Sequence, residues 1–243
     1  MAPLRVAEIL AGIATGTAQD SDLPQRLVDA CTRGLPVTGA SMALMTDAGP
    51  AGTVAATDGP AATMEELQFT VGEGPCVDSS RTGRPVLAPD LAHTGPGRWP
   101  GFSAGALDAG IRAVFALPLQ VGAVRVGALD LYRDMAGALS PEELVDALSF
   151  ADAATAILLH LLGQQDRNDG SAPGTIPVLE DRAEVHQATG MVAEQTGVSP
   201  GQALVLLRAR AYAAEQPIIE ASREVLAGVV HFSSDPDGWI RDP

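Results

Sequence analysis

The sequence predicts an α+β domain, an antiparallel sheet with helices on one face, followed by an all-α three-helix bundle. Three observations predict it. Short apolar runs broken by turn residues lie between an opening helix and a long closing helix. Residues 164–178 (QQDRNDGSAPGTIPV) lack periodicity and carry Gly, Pro, Asp and Asn, which marks a linker. Beyond it, residues 180–232 repeat apolar positions at helical spacing in three blocks. The expected organisation is a body over 1–163, a linker over 164–178, a helical module over 179–232 and a tail over 233–243.

Residues 4–14 and 22–33 have helical periodicity, with Leu23, Leu27, Ala30 and Cys31 on one face and Asp22 before Pro24 as a start. Ala40–Thr46 and Thr53–Thr57 read as strands separated by the turn Asp47-Ala48-Gly49-Pro50. A second turn, Asp58-Gly59-Pro60, precedes a short helix at Met64–Leu67. Val86–Ala88 is a short strand. Arg112–Gln120 and Ala123–Tyr132 flank Val121-Gly122 as a hairpin. Ser140-Pro141-Glu142-Glu143 begins the closing helix, with a cap, a first-turn proline and acids near the positive helix end. Leu144, Leu148, Ala151 and Ile157 continue it to about Leu162.

In the terminal block the first helix presents Val185, Ala188, Thr189 and Val192 on one face, with His186 and Gly190 on a neighbouring one. A glycine inside a helix costs about 1 kcal/mol relative to alanine, so Gly190 requires a reason, such as close approach by a helix or a ligand. Ser199-Pro200 opens the second helix, whose stripe is Ala203, Leu204, Leu207, Ala211 and Ala214. Pro217 opens the third, with Ile218, Ser222, Val225 and Val229. In the tail, Trp239 is an aromatic that could tuck onto the bundle, and the tail is expected to be disordered or a surface strap.

Composition narrows the functions. The chain has 243 residues and a net charge of −15, with no lysine among its 15 basic residues, which argues against broad phosphate binding. Cys31 and Cys76 cannot make a disulfide scaffold and lack the close spacing of metal ligands, so no metal and no cofactor is expected. No apolar stretch is expected to span a membrane, and the reading is a reduced, cytoplasmic protein. Gly72-Glu73-Gly74-Pro75 is glycine-rich but is no phosphate loop, since no Lys-Ser/Thr follows.

Residues 180–232 resemble an ANTAR domain, the small RNA-binding module of transcription antitermination regulators. The likeness rests on Ala188-x-Gly190, Ser199-x-x-x-Ala203 and Leu207-Arg208-x-x-Ala211. The upstream block resembles a GAF domain through Gly72-Glu73-Gly74-Pro75-Cys76, Arg98-Trp99-Pro100-x-Phe102, Arg112–Leu119 and Gly127-Ala128-Leu129-Asp130-Leu131-Tyr132. The resemblance implies a non-enzymatic, signal-responsive regulator that binds paired RNA hairpins as a homodimer, with a possible small-molecule effector and no membrane partner. It implies RNA contacts at Arg208 first, at Gly190 and Ala188 by close backbone approach, and at His186, Arg210 and Ala211. It implies a ligand pocket among Phe69, Cys76, Arg98, Trp99, Phe102 and Phe115. Residues 4–14 and 141–162 are apolar enough either to pair with a second copy or to cover their own sheet.

Charge constrains this picture. Residues 180–232 hold seven acids against four arginines, Arg182, Arg208, Arg210 and Arg223, a net of −3. Local patches must therefore carry any phosphate contact. Two other classes stand beside this one. A DNA-binding helix-turn-helix would need polar and basic residues where 199–214 offer mostly Ala, Leu and Val. A cysteine-dependent reductase, known on GAF-like folds, would use Cys76 in a loop and a resolving thiol.

Overall fold

The computed structural model describes residues 2–14, 22–46, 49–165, 183–214, 216–233 and 239–241. The chain divides into two compact units, one holding the described residues up to 165 except 70–72, and one holding 70–72 with the elements from 183 to 241.

The first unit is built on a five-stranded antiparallel sheet ordered β2-β1-β5-β4-β3. Its strands are β1 (Gly39–Thr46), β2 (Gly49–Ala56), β3 (Val86–Ala88), β4 (Ala113–Val121) and β5 (Val124–Arg133). The β4–β5 hairpin turns at Gly122, whose φ of 59° is the left-handed conformation such a tight turn favours. Alternation along β5 separates the two faces. Gly127 faces Leu158 of α7 (Pro141–Gln165), and Leu131, four residues on, shares that face. Asp130 faces the other way, toward α3 (Gly59–Val71).

The opening helices α1 (Ala2–Ala14) and α2 (Leu23–Gly34) pack with α7 on one side of the sheet, as expected. The opposite face was not expected to carry helices, yet α4 (Pro75–Thr82) packs there against β4 and β5 and α3 reaches it through Gln68, with α5 (Leu91–Arg98) against β3 and α6 (Pro100–Asp108) packed on α5. The short helix expected at Met64–Leu67 runs to thirteen residues. Its buried positions Ala61, Met64, Glu65, Gln68 and Phe69 form one continuous stripe, and the two polar members hide that stripe in the sequence. Helices α4, α5 and α6 fall where the sequence reads as loop, because Gly, Pro and Ser interrupt any periodicity.

Against expectation, α7 does contain a 24-residue stretch long and apolar enough to cross a membrane by composition, with a mean hydropathy of 1.5. More than half of it is buried against β4, β5, α1 and α2, which is the position of a core helix. Arg5 of α1 pairs with Asp146 of α7 at 3.1 Å.

The second unit packs α8 (Ala183–Thr196), α9 (Pro200–Ala213) and α10 (Ile218–Leu226) around Val185, Ala188, Val192, Ala203, Leu207, Ala211, Ile218 and Val225. Ser199 caps α9 and forms a capping box with Gln202. Val229, expected in the third stripe, lies beyond the end of α10 and is exposed. In the tail, residues 239–241 (β7) pair antiparallel with β6 (Val230–Phe232), a strand rather than a disordered end. From residue 166 onward the expected linker lies outside the described residues, as does the side chain of Trp239.

Candidate functional site

The helical unit presents its candidate surface on α9 and α8. At 100° per residue, Gly201, Val205, Arg208 and Tyr212 stand within about 60° of one another around α9. Val205 is 60% exposed and Tyr212 65%, both unusual for apolar side chains of a small bundle. On α8, His186 and Gly190 are exposed on one side of the helix. A Cβ placed on Gly190 would meet nothing within 4 Å, so helix packing within the chain does not explain this glycine.

Three expected RNA contacts are corrected. Ala188 and Ala211 are fully buried in the bundle core, so their side chains cannot touch a partner. Arg210 is 9% exposed, and its guanidinium donates to Glu224 of α10 at 3.0 Å, with Gln216 donating to the same carboxylate oxygen at 3.3 Å. It braces α9 against α10. Arg223 is likewise held by Glu184 at 2.8 Å. Tyr212 was missed in the sequence. Its position four residues after Arg208 and seven after Val205, outside the apolar stripe, was the available signal.

The sensor-unit residues separate into three places. Trp99 and Phe102 meet edge to face at 6.4 Å and 88°. Glu73 seats Phe102 by accepting the backbone N–H groups of Gly101 (2.6 Å) and Phe102 (3.2 Å) at the start of α6. Arg98 is exposed. It stacks over Trp99 at 4.4 Å and donates to Asp78 at 2.9 Å, and Asp78 also accepts from Trp99 Nε1 at 3.1 Å. Arg98 therefore clamps α5 to α4 and does not point into the interior.

Phe115 is corrected as a pocket residue. It pairs with Leu131 across the β4–β5 ladder and lies under Arg133, on the α7 face of the sheet. Asp130 and the helices around Cys76 lie on the other face. Cys31, on α2 beside α7, is also across the sheet from Cys76, so the two buried thiols cannot act as a nucleophile and its resolving partner.

Cys76 is not in a loop; it sits buried in the first turn of α4. Around it the sequence reading missed a polar network. Ser41 of β1 donates to Glu65 Oε1 at 2.6 Å, and Gln68 Nε2 donates to Asp130 Oδ2 at 2.7 Å. The Cys76 backbone N–H donates to Gln68 Oε1 at 2.7 Å. All five residues are buried. Burial holds the Asp130 carboxyl well above its ordinary value, and the Glu65 charge adds to this, while the Gln68 hydrogen bond opposes it. Burial also pushes the Cys76 thiol up, with Asp130 and Glu65 contributing. Cys31 is pushed up to about 12 by burial. A carboxylate between Leu129 and Leu131 in a central strand was the sequence signal for this network.

Residues 20–159 match the family model of the GAF domain, and residues 178–226 match that of the ANTAR domain. The chain belongs to the GAF domain family. Its architecture is that of a GAF- and ANTAR-containing regulator: GAF domains are signal sensors and ANTAR domains are RNA-binding antiterminators. Among solved structures, the GAF domain from a phosphoenolpyruvate-protein phosphotransferase of Coxiella burnetii is 15% identical. The match covers 68% of this chain and 96% of that one, with a TM-score of 0.51. A domain of a two-component sensor histidine kinase protein from Sinorhizobium meliloti 1021 is 20% identical, with 63% and 99% covered and a TM-score of 0.50. A type II free methionine-R-sulfoxide reductase from Thermoplasma acidophilum is 14% identical, with 58% and 92% covered and a TM-score of 0.46. The first two likenesses establish the GAF fold alone. No curated protein matches the chain.

Proposed function

We propose that this chain is a cytoplasmic, signal-responsive regulator that binds paired RNA hairpins through its ANTAR domain and acts by transcription antitermination. The observation that carries the reading is the face of α9 within the ANTAR domain, where the exposed Val205 and Tyr212 stand with the half-buried Arg208. Tyr212 supplies a stacking surface for a splayed base, and Arg208 a guanidinium for phosphate or base edge. His186 and the uncovered Gly190 on α8 extend the surface and let an RNA backbone come close. The chemistry is recognition; the separation of the two thiols by the sheet argues against a cysteine-dependent reductase.

The sensor unit receives the signal, and a second copy of the chain docks along α7. Val145, Leu148, Ala156 and Leu159 are exposed along that helix with Asp152 among them, a mostly apolar stripe suited to a helix–helix contact. Two ANTAR domains would then engage two hairpins, and avidity would compensate for the acidity of each module.

The test is fluorescence anisotropy of the full chain with a labelled two-hairpin RNA at low salt, against a single hairpin and duplex DNA. Tyr212→Ala and Arg208→Ala are each expected to weaken two-hairpin binding about tenfold or more, in line with roughly 1–3 kcal/mol per stacked base. If each protomer makes about two to four phosphate contacts, the log–log salt slope is about −1.5 to −3 per protomer, from roughly −0.7 per phosphate. Gly190→Ala is expected to stabilise α8 by up to about 1 kcal/mol yet weaken RNA binding. Equal affinity for duplex DNA, or variants that bind like the wild type, would overturn the reading.

A further inference from the structure

The buried network beneath the sheet contains a cluster that RNA recognition does not use. We infer that Glu65, Cys76 and Asp130 form a binding site for one divalent transition-metal cation of borderline softness, of the Zn²⁺ or Fe²⁺ type. The assignment goes beyond the sensor reading and does not depend on it.

One ligand atom from each residue lies within 4.8 Å of the other two. Bound to one cation at about 2.3 Å from sulfur and 2.0–2.2 Å from oxygen, such atoms would sit roughly 3.3–3.7 Å apart, so the cluster closes by about 1 Å on loading. Each carboxylate is already oriented for this. Ser41 ties up Glu65 Oε1, and Gln68 ties up Asp130 Oδ2. Asp130 Oδ1 is fully buried and accepts no well-formed hydrogen bond. The same carboxyl lies against Glu65 and the Cys76 thiol, and a group of two carboxyls and a thiol in a dry interior is costly to ionise, a cost that a cation removes. One turn along α4 from Cys76, the buried Ser79 hydroxyl is also without a hydrogen-bond partner.

The donor set selects the class. One thiolate with two carboxylates is too soft for magnesium or calcium and too oxygen-rich for copper(I), which leaves the borderline divalent ions. Without a cation, burial favours the protonated forms of Asp130 and Cys76. Loading therefore releases protons, at least from Asp130 and Cys76. Asp78 and Asp130 both lie near the thiol and reinforce the preference for a positive charge. No metal-binding spacing marks these residues in the sequence, because they come from three separate elements, α3, α4 and β5.

The test uses the full chain, stripped with a chelator and titrated anaerobically with Co²⁺. The expected result is one Co²⁺ per chain, a near-ultraviolet thiolate-to-cobalt charge-transfer band, and release of protons to an indicator dye. Cys76→Ser should abolish the band and Asp130→Asn should weaken binding at least about tenfold, while Cys31→Ser leaves both unchanged. Ser41→Ala, which only frees the Glu65 carboxylate, should weaken binding about 10–100-fold. Wild-type chain without the band would overturn the assignment whatever the variants do. A band that survives in Cys76→Ser, or disappears in Cys31→Ser, would overturn it as well. RNA binding is not measured, so failure here leaves the proposed function standing.

Discussion

The GAF unit buries Ser41, Glu65, Gln68 and Asp130 and links them across the fold: Ser41 reaches Glu65, 24 residues away, and Gln68 reaches Asp130, 62 residues away. The helical unit buries the hydroxyls of Thr189 and Ser222 and satisfies each locally, by donation to Val185 and Ile218 one turn back; its buried Arg210 reaches Glu224, 14 residues away. A local hydroxyl plug fills space and asks nothing of the rest of the domain. A long-range buried network requires α3, α4, β1 and β5 to arrive together, and it stores ionisable groups in a dry place. The two units therefore keep their chemistry in opposite locations, interior in the sensor and surface in the RNA module.

The largest expected effect would break the contrast directly. Gln68→Leu leaves the Cys76 N–H and Asp130 Oδ2 buried without their partner and should cost on the order of 2–6 kcal/mol, whereas Ser222→Ala should cost about 1 kcal/mol or less. Hydrogen exchange read separately over the two units checks both, and equal losses would erase the distinction.

The interior location also has a pH signature. The folded-state pKa of Asp130 is raised, so its contribution to stability is intact below the unfolded value of about 3.9 and is lost as pH rises toward the folded value. Metal-stripped wild-type chain should lose GAF-unit stability progressively above about pH 4. Asp130→Asn, which still accepts from Gln68, should flatten that decline; denaturation midpoints at several pH values measure it.

Within the helical unit the contrast is sharpened by its two ion pairs. Arg210→Ala should cost roughly 1.5–3 kcal/mol, because Glu224 loses a charged, half-buried hydrogen bond. Arg223→Ala, at an exposed pair, should cost about 0.2–1 kcal/mol. Ser199→Ala removes the α9 cap and should cost about 1 kcal/mol. Thermal melts of the full chain separate the three if they lie in this order.

Much of the architecture was legible in the sequence. All five sheet strands, β2 in its second half only, and the β4–β5 turn followed from apolar runs and Gly122, and the buried faces of α8 and α9 from spacing of 3.6. What escaped detection was polar residues inside apolar stripes. Glu65 and Gln68 broke the pattern of α3, and Asp130 looked like a lapse in a strand. The glycines and prolines that start α4, α5 and α6 read as loop. The proposed RNA-facing surface was half legible: Arg208 came from the family pattern and His186 from its spacing to Gly190, while Ala188 and Ala211 proved to be core because small residues look alike whether they admit a ligand or a neighbouring helix.

The borders of the sheet carry one more consequence. At one edge β2 holds Gly49, Pro50 and Gly52 and slips register twice against β1; at the other, β3 is three residues long. Neither offers a straight row of free amides and carbonyls to a foreign strand, so polymerisation by strand addition is discouraged on both sides. At the high local concentrations of an expression strain, this half of the molecule should stay free of fibres, and copies that meet will do so through their helices.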